Sequence, residues 1–148
     1  MNHFGTIILG IALSLLSAAT KNIEKAFLQN GAGLLFSQLS SRTPVNLSLP
    51  EPISFSDQVS PEQAYFLFRN IFASHSTFEF YPEGEFPIHP DRNHFIFQAR
   101  WSFKNIRTNN QTVLRVFFYM TREFPARGGR HASPGFFWKI REIRAEAL

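Results

Sequence analysis

The chain has 148 residues, which is room for one domain, because two domains of half that length would each be too small to bury a stable core. Hydrophobic residues make up 44% and charged residues 18%, and these proportions exclude the composition of a disordered protein. The chain carries a net charge of +4 and has no cysteine, which excludes disulfides, thiolate nucleophiles, cysteine-based zinc sites and a lipid-modified cysteine.

The N-terminal segment has the pattern of an export signal. Residues 4–16 are almost wholly apolar, and the small residues Ser17, Ala18 and Ala19 follow where a signal peptidase reads the chain. The run is shorter than the roughly 20 residues that span a bilayer. We expect a signal peptide over residues 1–19, cleaved after Ala19, a single domain over residues 20–148, and a periplasmic or secreted protein. No Lys or Arg precedes Phe4, so an uncleaved anchor remains the alternative.

Helical and then extended patterns follow in the first third of the domain. Apolar residues recur at helical spacing over residues 21–39, and Gly31 and Gly33 interrupt them. The pattern predicts two short helices, or one bent helix, that end near Ser40. The strict alternation of Val45 to Leu49 predicts a half-buried strand, and a second extended piece is expected around Ile53 to Phe55.

The clearest local signal begins a third helix. Ser60 can cap the first turn, Pro61 occupies a position that needs no amide donor, and Gln63 completes a capping box. The helix presents an apolar stripe that needs a flat surface to cover it, formed by Ala64, Leu67, Phe68, Ile71 and Phe72.

Four later runs predict an antiparallel meander. They are Thr77 to Tyr81, Phe95 to Phe103, Gln111 to Thr121 and Phe136 to Ile143. Alternation assigns to the core face Phe95, Phe97, Ala99, Trp101, Phe103, Leu114, Val116, Phe118, Met120, Trp138 and Ile140. The sequence therefore predicts an α+β fold in which N-terminal helices pack on a curved antiparallel sheet.

The order of these elements resembles the nuclear transport factor 2-like (cystatin-like) cone. Within that superfamily the chain resembles the exported bacterial family called domain of unknown function 4783. The residues that carry the resemblance are Ile23, Ala26, Asn30-Gly31-Ala32, Leu35, Leu39-Ser40, Val45-Asn46-Leu47, Ser60-Pro61-Glu62-Gln63-Ala64, Ile71-Phe72, Phe78, Gly84, Arg115-Val116 and Trp138 to Arg144. The resemblance implies the fold and export, and it brings no established activity or catalytic residue. The chain departs from the family pattern in the proline-rich stretch Phe86 to Pro90 and the long loop Phe124 to Pro134.

Basic residues are concentrated in the later strands. Lys, Arg, Asp and Glu sum to −3 over residues 20–85 and to +7 over residues 86–148. Arg100, Arg115, Lys139 and Arg141 are predicted to share one sheet face, where guanidinium groups would attract phosphate or carboxylate groups. The alternative is an ordinary solvated face whose arginine stems flank aromatic rings.

A glycine-rich loop and a histidine-rich turn are further candidates. Arg127 and Arg130 flank Gly128-Gly129, and successive amides there could add an anion-binding nest, although a flexible hairpin loop explains the glycines equally. His89, Asp91 and His94 are better explained as a turn between strands than as metal ligands. We predict no cofactor and no metal.

Three functional hypotheses follow. The first is a non-catalytic binding module for an anionic envelope component or lipid headgroups, because export disfavours nucleic acid. The second is a small-molecule pocket protein or enzyme that uses the cone interior, with His75, Glu79 and Tyr119 as its polar groups. The third is a structural protein that forms a homodimer through the sheet face, where Phe117 and Phe137 would supply an apolar patch.

Overall fold

A computed structural model of the chain describes residues 17–84, 93–124 and 135–148. Within these ranges the chain forms three helices and six strands, and none of the helices is long and apolar enough to cross a membrane. In chain order they are α1 (residues 17–28), α2 (Ala32–Phe36), β1 (Val45–Leu49), β2 (Phe55–Val59), α3 (Pro61–Ser74), β3 (His75–Glu83), β4 (His94–Asn105), β5 (Gln111–Glu123) and β6 (Phe137–Ala147).

A tight turn separates the first two helices. The amide of Gly31 donates to the carbonyl of Ala26 at 2.8 Å and the amide of Asn30 to that of Phe27 at 3.2 Å, which is the Schellman pattern. The predicted break is confirmed, but the left-handed residue is Asn30, with φ of 50°, rather than a glycine. Its side-chain oxygen accepts from the amide of Thr77 at 3.2 Å, so the end of α1 is tied to β3.

Helix α3 begins as the sequence predicts. The amide of Gln63 donates to Ser60 Oγ at 3.1 Å, and the amide of Ser60 donates to Gln63 Oε1 at 2.9 Å. Pro61 takes the first helical position, which needs no amide donor. The predicted stripe packs on the core, with Ala64, Phe68, Ile71 and Phe72 buried and Leu67 partly buried.

All six strands form one sheet in the order β2-β1-β6-β5-β4-β3. The predicted antiparallel meander from β3 to β6 is confirmed, and β1 and β2 pair antiparallel as well. The sheet departs from a purely antiparallel arrangement at β1 and β6, which pair parallel with Leu47 opposite Ile143. This pairing arises because α3 carries the chain to the far edge of the sheet, from which the meander returns to β1. The extended piece expected around Ile53 to Phe55 begins only at Phe55.

Two irregularities interrupt the strand register. One lies between Thr77 and Glu79 on β3. The other is on β6, where Tyr119 pairs with Glu142 but Met120 pairs with Ile140, so that Arg141 is the extra residue. Such bulges bend a sheet and increase its twist. The bulge on β6 also shifts the alternation of the strand by one residue, so that even-numbered residues face inward before Arg141 and odd-numbered residues face inward after it. Both Ile140 and Ile143 are therefore buried.

Aromatic rings fill the layer between the helices and the sheet. Every residue assigned to the core face from the alternation of the strands is buried. Phe27 of α1 lies at the centre of this layer, with its ring 4.8 Å from that of Phe80 and 5.0 Å from that of Trp101. It also contacts the rings of Phe68 and Phe118. Burial of these rings supplies the main stabilising free energy in a chain without disulfides.

Candidate functional site

The sheet face opposite the helices, here called the outer face, holds the predicted basic residues of the meander. Strand register places on it Glu79, Glu83, Ile96, Arg100, Arg115, Phe117, Tyr119, Lys139, Glu142 and Arg144. Cations and carboxylates are interspersed on this face. Its capacity to bind an anion therefore depends on the cations that have no acidic partner.

Arg100 and Arg115 lie directly opposite each other on β4 and β5. Like charges in that position repel, and the neighbouring strand β3 supplies the compensation. Arg100 Nε is 3.4 Å from Glu79 Oε1, and Arg115 Nε is 3.3 Å from Glu83 Oε2. Both pairs are partly exposed, so each contributes about 1 kcal/mol or less. The structure therefore brings the two arginines together but gives each a carboxylate partner.

Arg141 projects from the bulge on β6 and is exposed. It lines an open depression of about 390 Å³ together with Asn46, Ile96, Tyr119 and Glu142, among others. No described carboxylate lies within ion-pair distance of Arg141, since the ion pairs of the described residues are those of Arg100 and Arg115.

Arg144 lies beside this depression and also has no ion-pair partner among the described residues. Its guanidinium carbon is 5.5 Å from the ring centre of Phe117 and 5.6 Å from that of Tyr119. The two rings lie close enough for cation–π contacts, and no described residue forms a hydrogen bond with the guanidinium N–H groups. Phe117 is half-buried beneath this arginine, so it does not form an exposed apolar patch with Phe137.

Lys139 contacts the segment that follows α2. Its Nζ donates to the carbonyl of Ser37 at 2.6 Å and lies 5.7 Å from the ring centre of Phe137. The predicted cluster of four cations on one face is thus divided. Arg100 and Arg115 form a paired group, Arg141 lies at the depression, and Lys139 binds the backbone after α2.

Several predicted residues lie outside the described ranges. These are Arg127 and Arg130 of the glycine-rich loop, and His89 and Asp91 of the turn. The two stretches that depart from the family pattern fall largely in the same gaps. Across residues 17–84, 93–124 and 135–148, no three His, Asp or Glu side chains group closely enough to hold a metal ion.

The polar groups proposed for a pocket in the cone interior are not brought together. His75 follows α3, with its ring Nδ1 3.0 Å from Ser74 Oγ and 3.3 Å from the carbonyl of Ile71. Glu79 and Tyr119 lie on the outer face of the sheet, away from the aromatic layer. The reason is the period of two in each strand, which directs Phe80 and Phe118 inward and their neighbours outward.

Sequence reasoning missed three charged residues of interest. Glu142 and Arg144 were missed because the bulge at Arg141 shifts the alternation of β6, and nothing in the local sequence marks that shift. Arg122 was missed because β5 was expected to end at Thr121, whereas it continues to Glu123. The alternation that buries Phe118 and Met120 would have placed Arg122 on the inner face.

No protein-family model and no curated protein matches this sequence. Solved structures do match its fold. A domain of unknown function 4783 family protein from Bacteroides ovatus has a TM-score of 0.58 at 15% identity, covering 86% of this chain and 93% of that one. One from Bacteroides fragilis has a TM-score of 0.58 at 16% identity, covering 86% and 96%. A ketosteroid isomerase-like protein from Erwinia carotovora atroseptica has a TM-score of 0.65 at 10% identity, covering 92% and 95%.

These identities are too low to transfer an activity, but the similarity covers most of both chains in each comparison. It confirms the fold that the resemblance predicted from the sequence. The chain has the nuclear transport factor 2-like fold, an α+β cone, and shares it with proteins of the domain of unknown function 4783 family.

Proposed function

We propose that this chain is a non-catalytic binding module, exported from the cytoplasm, whose outer face engages the phosphate groups of an anionic envelope component. The observation that carries the proposal is the exposed guanidinium of Arg141, which lines an open depression and has no carboxylate partner among the described residues. Arg144, stacked on Phe117 and Tyr119, provides a second unpaired cation beside it.

Chemical complementarity supports a phosphate ligand. A guanidinium group presents a planar fork of N–H donors that matches the oxygens of phosphate, and these charge-assisted hydrogen bonds are among the stronger ones in proteins. Glu142 also lines the depression and reduces the local positive charge. The surface is therefore suited to a headgroup that several contacts position, rather than to a long polyanion held by charge alone.

The N-terminal sequence supports the location. An apolar stretch over residues 4–16 followed by small residues is typical of an exported chain. Outside the cytoplasm, anionic lipid headgroups are an abundant source of phosphate, and we take them as the partner to be tested. Basic residues near such a surface contribute about 1 kcal/mol each, and the contribution falls off within a Debye length of about 8 Å at physiological salt.

The test is cosedimentation of the full chain with vesicles of phosphatidylcholine alone or mixed with phosphatidylglycerol. Changing Arg141→Ser together with Arg144→Ser should weaken the salt-dependent part of binding at least about tenfold, because two contributions of about 1 kcal/mol are lost. The salt-dependent part is the readout because the apolar N-terminal segment can itself partition into lipid.

Two matched double variants serve as controls. Arg69→Ser with Arg107→Ser removes the same charge from an exposed position on α3 and from the loop after β4. Arg100→Ser with Arg115→Ser removes cations that already have carboxylate partners. If all three double variants bind equally, or if phosphatidylglycerol does not increase binding, the outer face is not the binding surface.

The alternative function, a pocket protein or enzyme that uses the cone interior, receives less support from the geometry. The ring of Phe27 occupies the centre of the layer where such a pocket would lie, and its neighbours pack against it. One of the similar structures is a ketosteroid isomerase-like protein, but a shared fold does not imply a shared activity.

A further inference from the structure

Arg122 is a cation on the inner face of the sheet, the face that is otherwise apolar. It pairs in register with Trp138 of β6, and it follows Phe118 and Met120 in the alternation of β5. Its guanidinium carbon lies 4.5 Å from the ring centre of Phe136 and 5.2 Å from that of Trp138. The group is therefore stacked on two rings at the end of the aromatic core.

No acidic residue of the described chain neutralises this arginine. The adjacent Glu123 accepts a hydrogen bond from Ser40 Oγ and does not form an ion pair with Arg122. The Nε–H of Arg122 is buried and has no hydrogen-bond partner among the described residues. A buried donor of this kind costs free energy until an acceptor is supplied.

The indole of Trp138 has the same unsatisfied chemistry. Trp138 is 8% exposed, and its Nε1–H is buried with no acceptor in the part of the chain that the structure describes. The other tryptophan differs, because Trp101 Nε1 donates to Thr77 Oγ1 at 2.8 Å. Buried polar groups in native proteins are nearly always satisfied, so two neighbouring donors without an acceptor among the described residues make this a candidate place for an acceptor to bind.

An aromatic cluster, which we define as Phe95, Phe124, Phe136 and Trp138, surrounds these donors. The rings of Phe95 and Trp138 are 4.7 Å apart, and those of Phe136 and Trp138 are 5.7 Å apart. Phe124 packs on Phe136 at 6.1 Å and is 57% exposed, so the cluster reaches the surface on that side. Apolar walls with a few polar groups are the usual composition of a small-molecule site.

We propose that Arg122 and Trp138 bind a small carboxylate that carries an apolar group. The two carboxylate oxygens match the two orphan donors, the charge balances the guanidinium, and the apolar group packs on Phe124 and Phe136. This site lies on the opposite face of the sheet from Arg144 and does not depend on the function proposed above.

The test uses benzoate as the probe and the full chain labelled with nitrogen-15, and follows the two indole N–H resonances by NMR. Benzoate should shift the Trp138 resonance in a saturable way at concentrations below about 10 mM. The Trp101 resonance should not move, because its donor is already bound to Thr77. The variant Trp138→Phe assigns the two resonances.

Neutral and mutant comparisons test the recognition of charge. Benzamide has a similar shape without the charge and should bind at least about tenfold more weakly. Arg122→Gln should weaken benzoate binding by a similar factor, and Arg122→Lys should weaken it less than Arg122→Gln. Arg115→Gln removes a cation from the outer face of the same strand and should leave binding unchanged.

Three results would overturn the proposal: no movement of the Trp138 resonance with benzoate, equal movement with benzamide, or full binding by Arg122→Gln. The comparison of benzoate with benzamide uses the unaltered chain, so the proposal stays testable even if the variants at Arg122 do not fold.

Discussion

Replacing Phe27 by alanine tests whether the interior of the cone is filled as described. Phe27 is fully buried, and its ring contacts those of Phe68, Phe72, Phe80, Trp101 and Phe118 on α3, β3, β4 and β5. Replacing a buried phenylalanine by alanine lowers the free energy of unfolding by about 3 to 5 kcal/mol, because the transfer free energy of the ring is lost and a cavity remains. We expect the upper part of that range, because strands and a capped helix hold the neighbouring rings and limit collapse.

Urea denaturation followed by circular dichroism measures this cost. With a slope of about 2 kcal/mol per molar urea, a loss of about 4 kcal/mol lowers the midpoint by about 2 M. The matched control is Leu28→Ala, the next residue of α1, whose side chain is 45% exposed. That change should cost well under half as much. Equal midpoints for the two variants would refute the reasoning, because α1 would then not pack through Phe27.

Two further predictions concern the helix ends. Ser60→Ala removes the capping box of α3 and should lower the free energy of unfolding by about 1 kcal/mol. The control Ser56→Ala, at an exposed position on β2, should not change the urea midpoint measurably, and equal midpoints for the two variants would contradict a capping role. A chain that begins at Thr20, as cleavage after Ala19 would produce, should unfold at lower urea than one that begins at Ser17. It loses the buried Ala19 and places an ammonium group on Thr20, which is 4% exposed and belongs to α1. Mass spectrometry of exported protein would show where the chain is cut, and equal urea midpoints would contradict the destabilisation.

The candidate sites were only partly predictable from the sequence. That Arg100 and Arg115 share a face follows from alternation within two long strands, and the structure places them directly opposite each other. The ion pairs of these arginines with Glu79 and Glu83 could not be foreseen, because they depend on the register between β3 and β4 after an irregularity. Arg141 was predicted as a basic residue of the face, but the bulge in which it lies could not be foreseen.

Local patterns in this sequence determined the secondary structure and the identity of the core. The Ser60 cap, the stripe of α3 and the alternation of β4 and β5 each depend on interactions between residues close in the chain, and so they can be read without coordinates.

The tertiary structure alone decided the parallel pairing of β1 with β6, the bulge at Arg141, and the meeting of Arg122 with Trp138. These features join residues distant in sequence. Their free energy depends on register and packing across the whole sheet, in which a shift of one residue moves every following side chain to the other face.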